Sequence, residues 1–189
     1  MLTKRIIGAF TLRGSVYAEV EKDTSFTTTA WTLVAVVAFL NQLGSFASRN
    51  LLSWLIGAIG GTIFAIFGFA VGALVINWVG RTIFKADVRF GELVRTLGLA
   101  YVWQVIGILG ILAAFSEALS CVLAPVQIIA MLLMILAWFI AAKEALDLEW
   151  VQTIVTVILG WLAQFVITTV IAGLALGLFE LGVTAIGKL

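Results

Sequence analysis

Residues 53–72 read SWLIGAIGGTIFAIFGFAVG and contain no charged side chain. A helix that crosses the hydrocarbon core of a bilayer needs about 20 consecutive residues that are mostly apolar. This stretch meets that requirement by itself, and the uncharged sequence around it extends from residue 50 to residue 80. It therefore predicts a transmembrane helix.

Charged residues divide the rest of the chain into four more uncharged runs, at 24–48, 96–116, 118–142 and 150–179. Each run is long enough for one membrane-spanning helix and too short for two. We therefore predict an all-α fold, a polytopic integral membrane bundle of five transmembrane helices. The predicted spans lie near residues 27–47, 52–79, 97–115, 121–142 and 151–178.

The composition of the 189 residues excludes a soluble domain. Hydrophobic residues make up 63% of the chain, charged residues 11%, and the mean hydropathy is +1.20. A soluble domain carries about 25% charged residues, which form its polar surface. The sequence has no histidine and a single cysteine, Cys121, which excludes imidazole catalysis, a disulfide and a cysteine metal cluster. We predict that the protein is not an enzyme and uses no metal ion and no cofactor.

The distribution of lysine and arginine predicts the orientation of the bundle. One side of the predicted spans receives Lys4, Arg5, Arg13, Lys22, Arg81, Lys85, Arg89, Arg95 and Lys143, and the other side receives Arg49 and Lys188. The positive-inside rule then predicts a multi-pass protein of the cytoplasmic (inner) cell membrane, with its N-terminus in the cytoplasm and its C-terminus outside. Tryptophans near the predicted span ends predict an aromatic belt; they are Trp31, Trp54, Trp78, Trp138 and Trp150.

Residues 1–23 form a leader ahead of a transmembrane domain that covers residues 24–189. Apolar residues recur in the leader at roughly helical spacing, with basic residues between them. The pattern predicts an amphipathic helix on the inner leaflet, broken near Gly14; the alternative is a partly disordered cytoplasmic tail. A signal peptide over residues 1–47 is disfavoured, because Glu19 and Asp23 precede the apolar core.

Small residues form a stripe along the second predicted span at Ser53, Gly57, Gly61, Ala65, Gly68 and Gly72, and a shorter stripe along the fifth at Thr169, Gly173 and Gly177. Small residues at helical spacing let two helix backbones approach closely in lipid. The stripes predict helix-packing surfaces. Two interpretations stay open, close packing inside one bundle and docking of another chain.

The longest densely charged segment within the chain is FKADVRFGELVRTLGLA, residues 84–100. Its apolar residues recur at i, i+3, i+4 and i+7 from Phe90, and Arg89 and Glu92 lie on the other side. We predict a short amphipathic interface helix that leads into the third span. It is either an anchor to lipid phosphates or a cytoplasmic contact surface formed by Arg89, Phe90, Glu92 and Arg95.

The order of these motifs resembles the Yip domain family, whose name refers to interaction with Ypt/Rab GTPases. The resemblance rests on Gly80-Arg81, on the block Phe90, Glu92, Leu93 and Arg95, on Gly98, Ala100 and Tyr101, on Lys143 to Leu146, and on Gly160-Trp161. It covers nearly the whole chain.

This family resemblance implies five spans with a cytoplasmic N-terminus, and no settled biochemical activity. Family members often carry proline just after the Ala-Tyr pair, where this chain has Trp103. The long polar N-terminal region of the eukaryotic trafficking members is missing from this sequence, so a GTPase-binding role does not follow. The chain is more similar to the bacterial members.

Three hypotheses for function remain. No predicted span carries an ionisable residue near its middle, and the sequence shows no pair of broken helices, which favours a non-catalytic adaptor or accessory subunit of a larger membrane complex. The second hypothesis is a small-solute transporter or lipid-handling protein with a polar cavity near Gln104, Gln164 and Thr168. The third is a trafficking-type adaptor recruited through residues 84–96. The expected partners are membrane lipids and other membrane protein chains, with no nucleic acid.

Overall fold

The computed structural model describes the backbone of residues 2–186 and the side chains of residues 2–167, 169–171 and 173. Its elements, in chain order, are α1 (Leu2–Phe10), α2 (Gly14–Lys22), α3 (Phe26–Ser45), α4 (Leu51–Ile83), α5 (Phe90–Ala100), a 3₁₀ segment (Tyr101–Leu109), α6 (Gly110–Phe115), α7 (Glu117–Leu146) and α8 (Trp150–Ile186). The described backbone contains no strand. The prediction of an all-α fold is confirmed.

Five stretches of helix are long and apolar enough to cross a membrane. They are Phe26–Ser45, Leu51–Ile83, Phe90–Phe115, Glu117–Leu146 and Trp150–Ile171. Each contains most of one predicted span, so the five predicted transmembrane helices are confirmed.

Local chemistry fixes two of the helix starts. The Asn50 side-chain oxygen accepts hydrogen bonds from the backbone N–H groups of Leu52 and Ser53, at 3.1 and 3.2 Å, and so caps α4. Ser116 caps α7 by accepting from the backbone N–H of Leu119 at 3.4 Å. Such caps satisfy the first N–H groups of a helix, which have no partner inside it. The loops between spans can therefore be very short.

The third span departs from the sequence prediction, because its middle is not α-helical. Residues Tyr101–Leu109 form a 3₁₀ helix between α5 and α6. Runs of 3₁₀ helix longer than three or four residues are uncommon, and they mark strain or a hinge. Nine residues of 3₁₀ helix rise about 18 Å, against about 13.5 Å in an α-helix. The segment is therefore a long and thin part of the bundle.

This thin segment and the first residue of α6 lie against α3 at three glycines. A Cβ atom at Gly44 would overlap the carbonyl oxygen of Gly107, and one at Gly110 would lie 2.7 Å from the carbonyl oxygen of Gly44. A Cβ at Gly107 would overlap the side-chain amide of Asn41. The two backbones approach as closely as glycine allows. The small-residue stripes of the sequence predicted helix packing on α4 and α8 and gave no sign of this tighter crossing.

The leader consists of two short helices that meet at Leu12, whose φ is 53°. The predicted break near Gly14 is thus confirmed. Ala9, Tyr17 and Val20 are fully buried, and the Trp103 indole N–H of the third span donates to the Ala9 carbonyl oxygen at 3.3 Å. The inner face of the leader therefore packs on α5, the 3₁₀ segment and α7.

Aromatic rings join four spans at the centre of the bundle. The ring of Phe69 on α4 makes edge contacts with the rings of Trp31, Tyr101 and Trp138, at centroid distances of 5.5, 5.5 and 6.1 Å. Trp138 is only 4% exposed. Trp138 is a core residue, so assigning it to an aromatic belt was wrong, whereas Trp31 is half-buried against the core.

Candidate functional site

The charged segment at residues 84–100 is exposed at Lys85, Asp87 and Arg89 and buried in its second half. Helix α5 begins at Phe90, and the Glu92 carboxylate accepts a hydrogen bond from the backbone N–H of Arg89 at 2.8 Å. Residues 93–100 are all buried. Helix α5 thus forms where the interface helix was predicted, with Arg89 exposed and Glu92 half-buried, but from Leu93 onward it is covered by α2, α3 and α7.

Arg95 is buried in this segment and binds the end of α2. Its side chain donates from Nε to the carbonyl oxygens of Val20 and Glu21, both at 3.0 Å, from Nη2 to Glu21 again, and from Nη1 to the hydroxyl of Thr27 at 3.2 Å. Val20 and Glu21 lie in the last turn of α2, where carbonyl groups have few partners within the helix and a positive charge is favourable; the Val20 carbonyl also accepts from the backbone N–H of Asp23 at 3.3 Å. Arg95 caps α2 from a neighbouring helix and is not available for a partner protein.

The remaining members of the predicted contact segment differ in exposure. Arg89 is exposed, whereas Phe90 and Glu92 are half-buried. The structure thus leaves Arg89 as the most accessible of the four predicted residues.

Arg5 closes the leader over the first span. It pairs with Glu19 at 2.7 Å and with Asp23 at 2.8 Å, and its guanidinium lies 4.9 Å from the centre of the Phe26 ring. A hydrogen bond from the Ser25 hydroxyl, followed by the bond from Arg5, lowers the pKa of Asp23 below its ordinary value of 3.8. Burial and the nearby Glu92 carboxylate raise the pKa of Glu21. The cytoplasmic end of the predicted topology is therefore a network of charges within one chain.

The Asp23 pairing predicts an acid-sensitive leader. Since the folded pKa of Asp23 is lowered, the charged carboxylate stabilises the folded leader above pH 3.8, and this stabilisation is lost as the pH falls through the folded pKa. We expect the rate of cleavage of the leader by an acid protease to rise over this range. In Asp23→Asn the leader should be cleaved faster at pH 5, with a weaker further response to acid. An unchanged pH response in Asp23→Asn would show that another group is responsible.

An outer cavity of about 540 Å³ lies between α3, the 3₁₀ segment and α7. Its polar lining includes Asn41, Gln104 and Gln127. The Asn41 amide donates to the backbone carbonyl of Gln104 at 2.9 Å. The Gln127 side chain makes no hydrogen bond to any described residue. Amides within a bilayer need partners, because lipid tails offer none, so this cavity suits water or a polar group of a ligand.

A second cavity has a volume of about 370 Å³ and is called here the aromatic cavity. It is lined by Ala65, Phe69, Tyr101, Gln104, Met134, Trp138, Trp161, Gln164 and Phe165. Gln104 and Gln164, which the sequence analysis suggested for a polar cavity, both line it. The side chain of Thr168 lies outside the described residues. The aromatic cavity shares Gln104 and Met134 with the outer cavity, so the two adjoin.

A groove of about 560 Å³, called here the glycine groove, runs along α4. It is lined by Gln42, Phe46, Gly57, Gly60, Gly61, Phe64, Ala65, Gly68 and Gln164. It shares Ala65 and Gln164 with the aromatic cavity. The three spaces thus follow one another through the bundle.

The predicted small-residue stripe faces this same chain at three positions. A Cβ at Gly57 would lie 2.7 Å from the Phe46 ring, one at Gly61 would lie 2.6 Å from that ring, and one at Gly72 would lie 2.6 Å from the Gln164 side chain. Gly68 is buried. At Gly57, Gly61 and Gly72 the stripe on α4 thus packs against side chains of this chain, while Gly57, Gly61 and Gly68 also line the glycine groove.

On α8 the stripe has no such contacts where it is described. A Cβ at Gly173 would meet no atom within 4 Å. The prediction for Gly177 lies outside the residues with described side chains.

Sequence reasoning missed Asn41, Gln127 and Trp138 as cavity residues. The two amides carried a signal, since uncharged polar residues inside apolar runs are few and each needs a partner. Trp138 carried none, because its position near a predicted span end suggested the membrane interface. Only the packing of α7 against α5, the 3₁₀ segment and α8 turns it inward.

The helical bundle, its five spans and its intramembrane cavities define a multi-pass membrane protein. The Yip1 domain matches residues 7–179, which is most of the chain. The protein belongs to the Yip1 domain family, as the sequence motifs had suggested. No curated protein and no solved structure matches the chain.

Proposed function

We propose that this protein is a non-catalytic, lipid-handling protein of the cytoplasmic membrane that holds a membrane-soluble amphiphile among its spans. The observation that carries the proposal is the meeting of Gln104 and Gln164 at the aromatic cavity. Ligand sites are typically apolar clefts with a few polar groups that fix orientation. The aromatic cavity has this character, and the adjoining glycine groove extends it.

Access from the bilayer supports the same proposal. Phe165 lines the aromatic cavity and is 68% exposed, while Phe64 lines the groove and is 44% exposed. Both spaces thus reach the lipid-facing surface of the bundle. A molecule dissolved in the membrane can enter sideways without crossing water. A small polar solute has no such advantage, which favours lipid handling over solute transport.

The adaptor hypothesis keeps less support than it had from the sequence. It relied on glycine stripes that face another chain, and Gly57, Gly61 and Gly72 face side chains of this one. The separate hypothesis of a trafficking-type adaptor relied on the charged contact segment, of which Arg95 is buried. Other membrane protein chains as partners stay a hypothesis that the same experiment addresses.

The test is purification of the whole chain in mild detergent, followed by native mass spectrometry and solvent extraction. We expect a small hydrophobic molecule to accompany the chain. In Ala65→Phe the added ring fills the junction of the aromatic cavity and the groove, so the bound amount should fall about tenfold, which corresponds to about 1.4 kcal/mol. Ile63→Phe is the matched control, because Ile63 is 64% exposed and its added bulk points to lipid.

Two results would contradict the proposal. A defined large complex with other chains and no small molecule would favour the accessory-subunit hypothesis. A lone chain without any bound amphiphile would reject lipid handling.

A further inference from the structure

Trp138 carries the one buried side-chain polar atom, among the described residues, that lacks a hydrogen-bond partner. That atom is the indole Nε1. The side chain is 4% exposed and lines the aromatic cavity. An indole N–H can only donate, and a buried donor without an acceptor is costly. The missing acceptor points to a group that enters the cavity from outside the chain.

The other residues that line the aromatic cavity restrict the charge of the ligand that can enter it. Tyr101 and Gln104 also line the cavity and can both donate hydrogen bonds. None of the residues that line it carries a formal charge. A charged ligand would be uncompensated there, which is strongly unfavourable at the depth of a membrane span. The ligand is therefore neutral and supplies acceptor oxygens.

The walls restrict its shape. Phe69, Tyr101, Trp138 and Trp161 present aromatic rings to the cavity, and neighbouring rings lie 5.5 to 6.1 Å apart in edge-on or tilted arrangements. Aromatic side chains favour offset or edge contacts with another planar π system. A phospholipid headgroup is charged and lies at the membrane surface, so it does not suit this place. A flat ring does.

We infer that the aromatic cavity binds the ring of a neutral, lipid-soluble quinone, whose carbonyl oxygens accept hydrogen bonds from Trp138 and Gln104. This inference rests on the proposed function and narrows its ligand to a chemical class. It concerns binding only, with no electron transfer by the protein.

The glycine groove accommodates the tail of such a molecule. The groove begins at Ala65 and Gln164, which it shares with the aromatic cavity, and continues to Gly57. A Cβ at Gly60 would meet no atom within 4 Å, so this face of α4 is open to a chain lying on it. An isoprenoid or alkyl tail is apolar throughout and needs only such a surface.

The experiment is calorimetric titration of the purified full chain, in detergent, with a benzoquinone that carries a decyl chain. Decylbenzene serves as the carbonyl-free probe. We expect the wild type to bind the quinone at least tenfold more tightly than decylbenzene. Trp138→Phe keeps a ring but removes the donor, and it should weaken quinone binding about tenfold, the value of one hydrogen bond of about 1.4 kcal/mol. Trp78→Phe, at a residue 63% exposed on α4, should change nothing.

Gln104→Leu is the second variant. It tests the quinone inference by itself if the elution and melting temperature of Trp138→Phe show that this variant is not folded. It should also weaken the quinone and leave decylbenzene unchanged. Equal affinity of the wild type for both probes would overturn the quinone inference and leave lipid handling intact. Full quinone affinity in both folded variants would overturn it as well. Failure of both probes, together with no native amphiphile in the purified protein, would reject the proposed function too.

Discussion

Replacing Gly44 with alanine should destabilise the bundle more than any other single methyl group added to the described glycines. The new Cβ would overlap the carbonyl oxygen of Gly107 and approach the Cα of Ile108 to 3.1 Å. These are backbone atoms, which cannot rotate away as a side chain can. Overpacking costs about 1–3 kcal/mol where side chains yield, and we expect about 3 kcal/mol here. Thermal unfolding of the detergent-solubilised protein, followed by tryptophan fluorescence, measures the loss.

Gly60→Ala is the matched control for Gly44→Ala. Both glycines lie in membrane helices, but a Cβ at Gly60 has open space around it. Alanine is favoured over glycine in a helix by about 1 kcal/mol, so this variant should be as stable as the wild type or slightly more so. Equal melting temperatures for Gly44→Ala and Gly60→Ala would show that α3 and the 3₁₀ segment do not touch through their backbones.

Replacing Arg95 with methionine should release the leader from the bundle. Methionine keeps most of the aliphatic length but leaves the carbonyl of Glu21 without its donor and that of Val20 with only the backbone N–H of Asp23. Hydrogen bonds to a charged group contribute about 1.5–3 kcal/mol each, and a buried acceptor left unpaired adds to the loss. We expect a destabilisation of about 3 kcal/mol. Limited proteolysis should cut the leader much faster, while the transmembrane core stays resistant.

Arg89→Met is the control for Arg95→Met, because it removes the same charge from the same segment at an exposed position. It should leave both the proteolysis rate and the melting temperature unchanged. If both variants behaved alike, the effect of Arg95 would be one of net charge and not of the capping of α2.

The number and place of the spans could be read from the sequence because lipid imposes a local rule. A helix in hydrocarbon must be apolar along about 20 residues whatever its neighbours are. The charges at Arg49, Glu117 and Glu149 therefore separate spans by themselves, and the helices begin close to them. The break in the leader near Gly14 is local in the same sense. The family motifs were also readable, since they depend on order and spacing alone.

Which side of each helix faces a neighbour could not be read in this way. Gly44 and Gly107 are far apart in the chain, and nothing near either one indicates that they touch. The charge of Arg95 suggested a side chain exposed to water. In the structure the carbonyl groups in the last turn of α2 accept its hydrogen bonds, so it can be buried. The sequence by itself determined the apolar spans, because hydropathy belongs to each residue. The tertiary structure alone decided that Trp138 and Gln104 line one cavity, because that depends on how helices distant in the chain pack against each other.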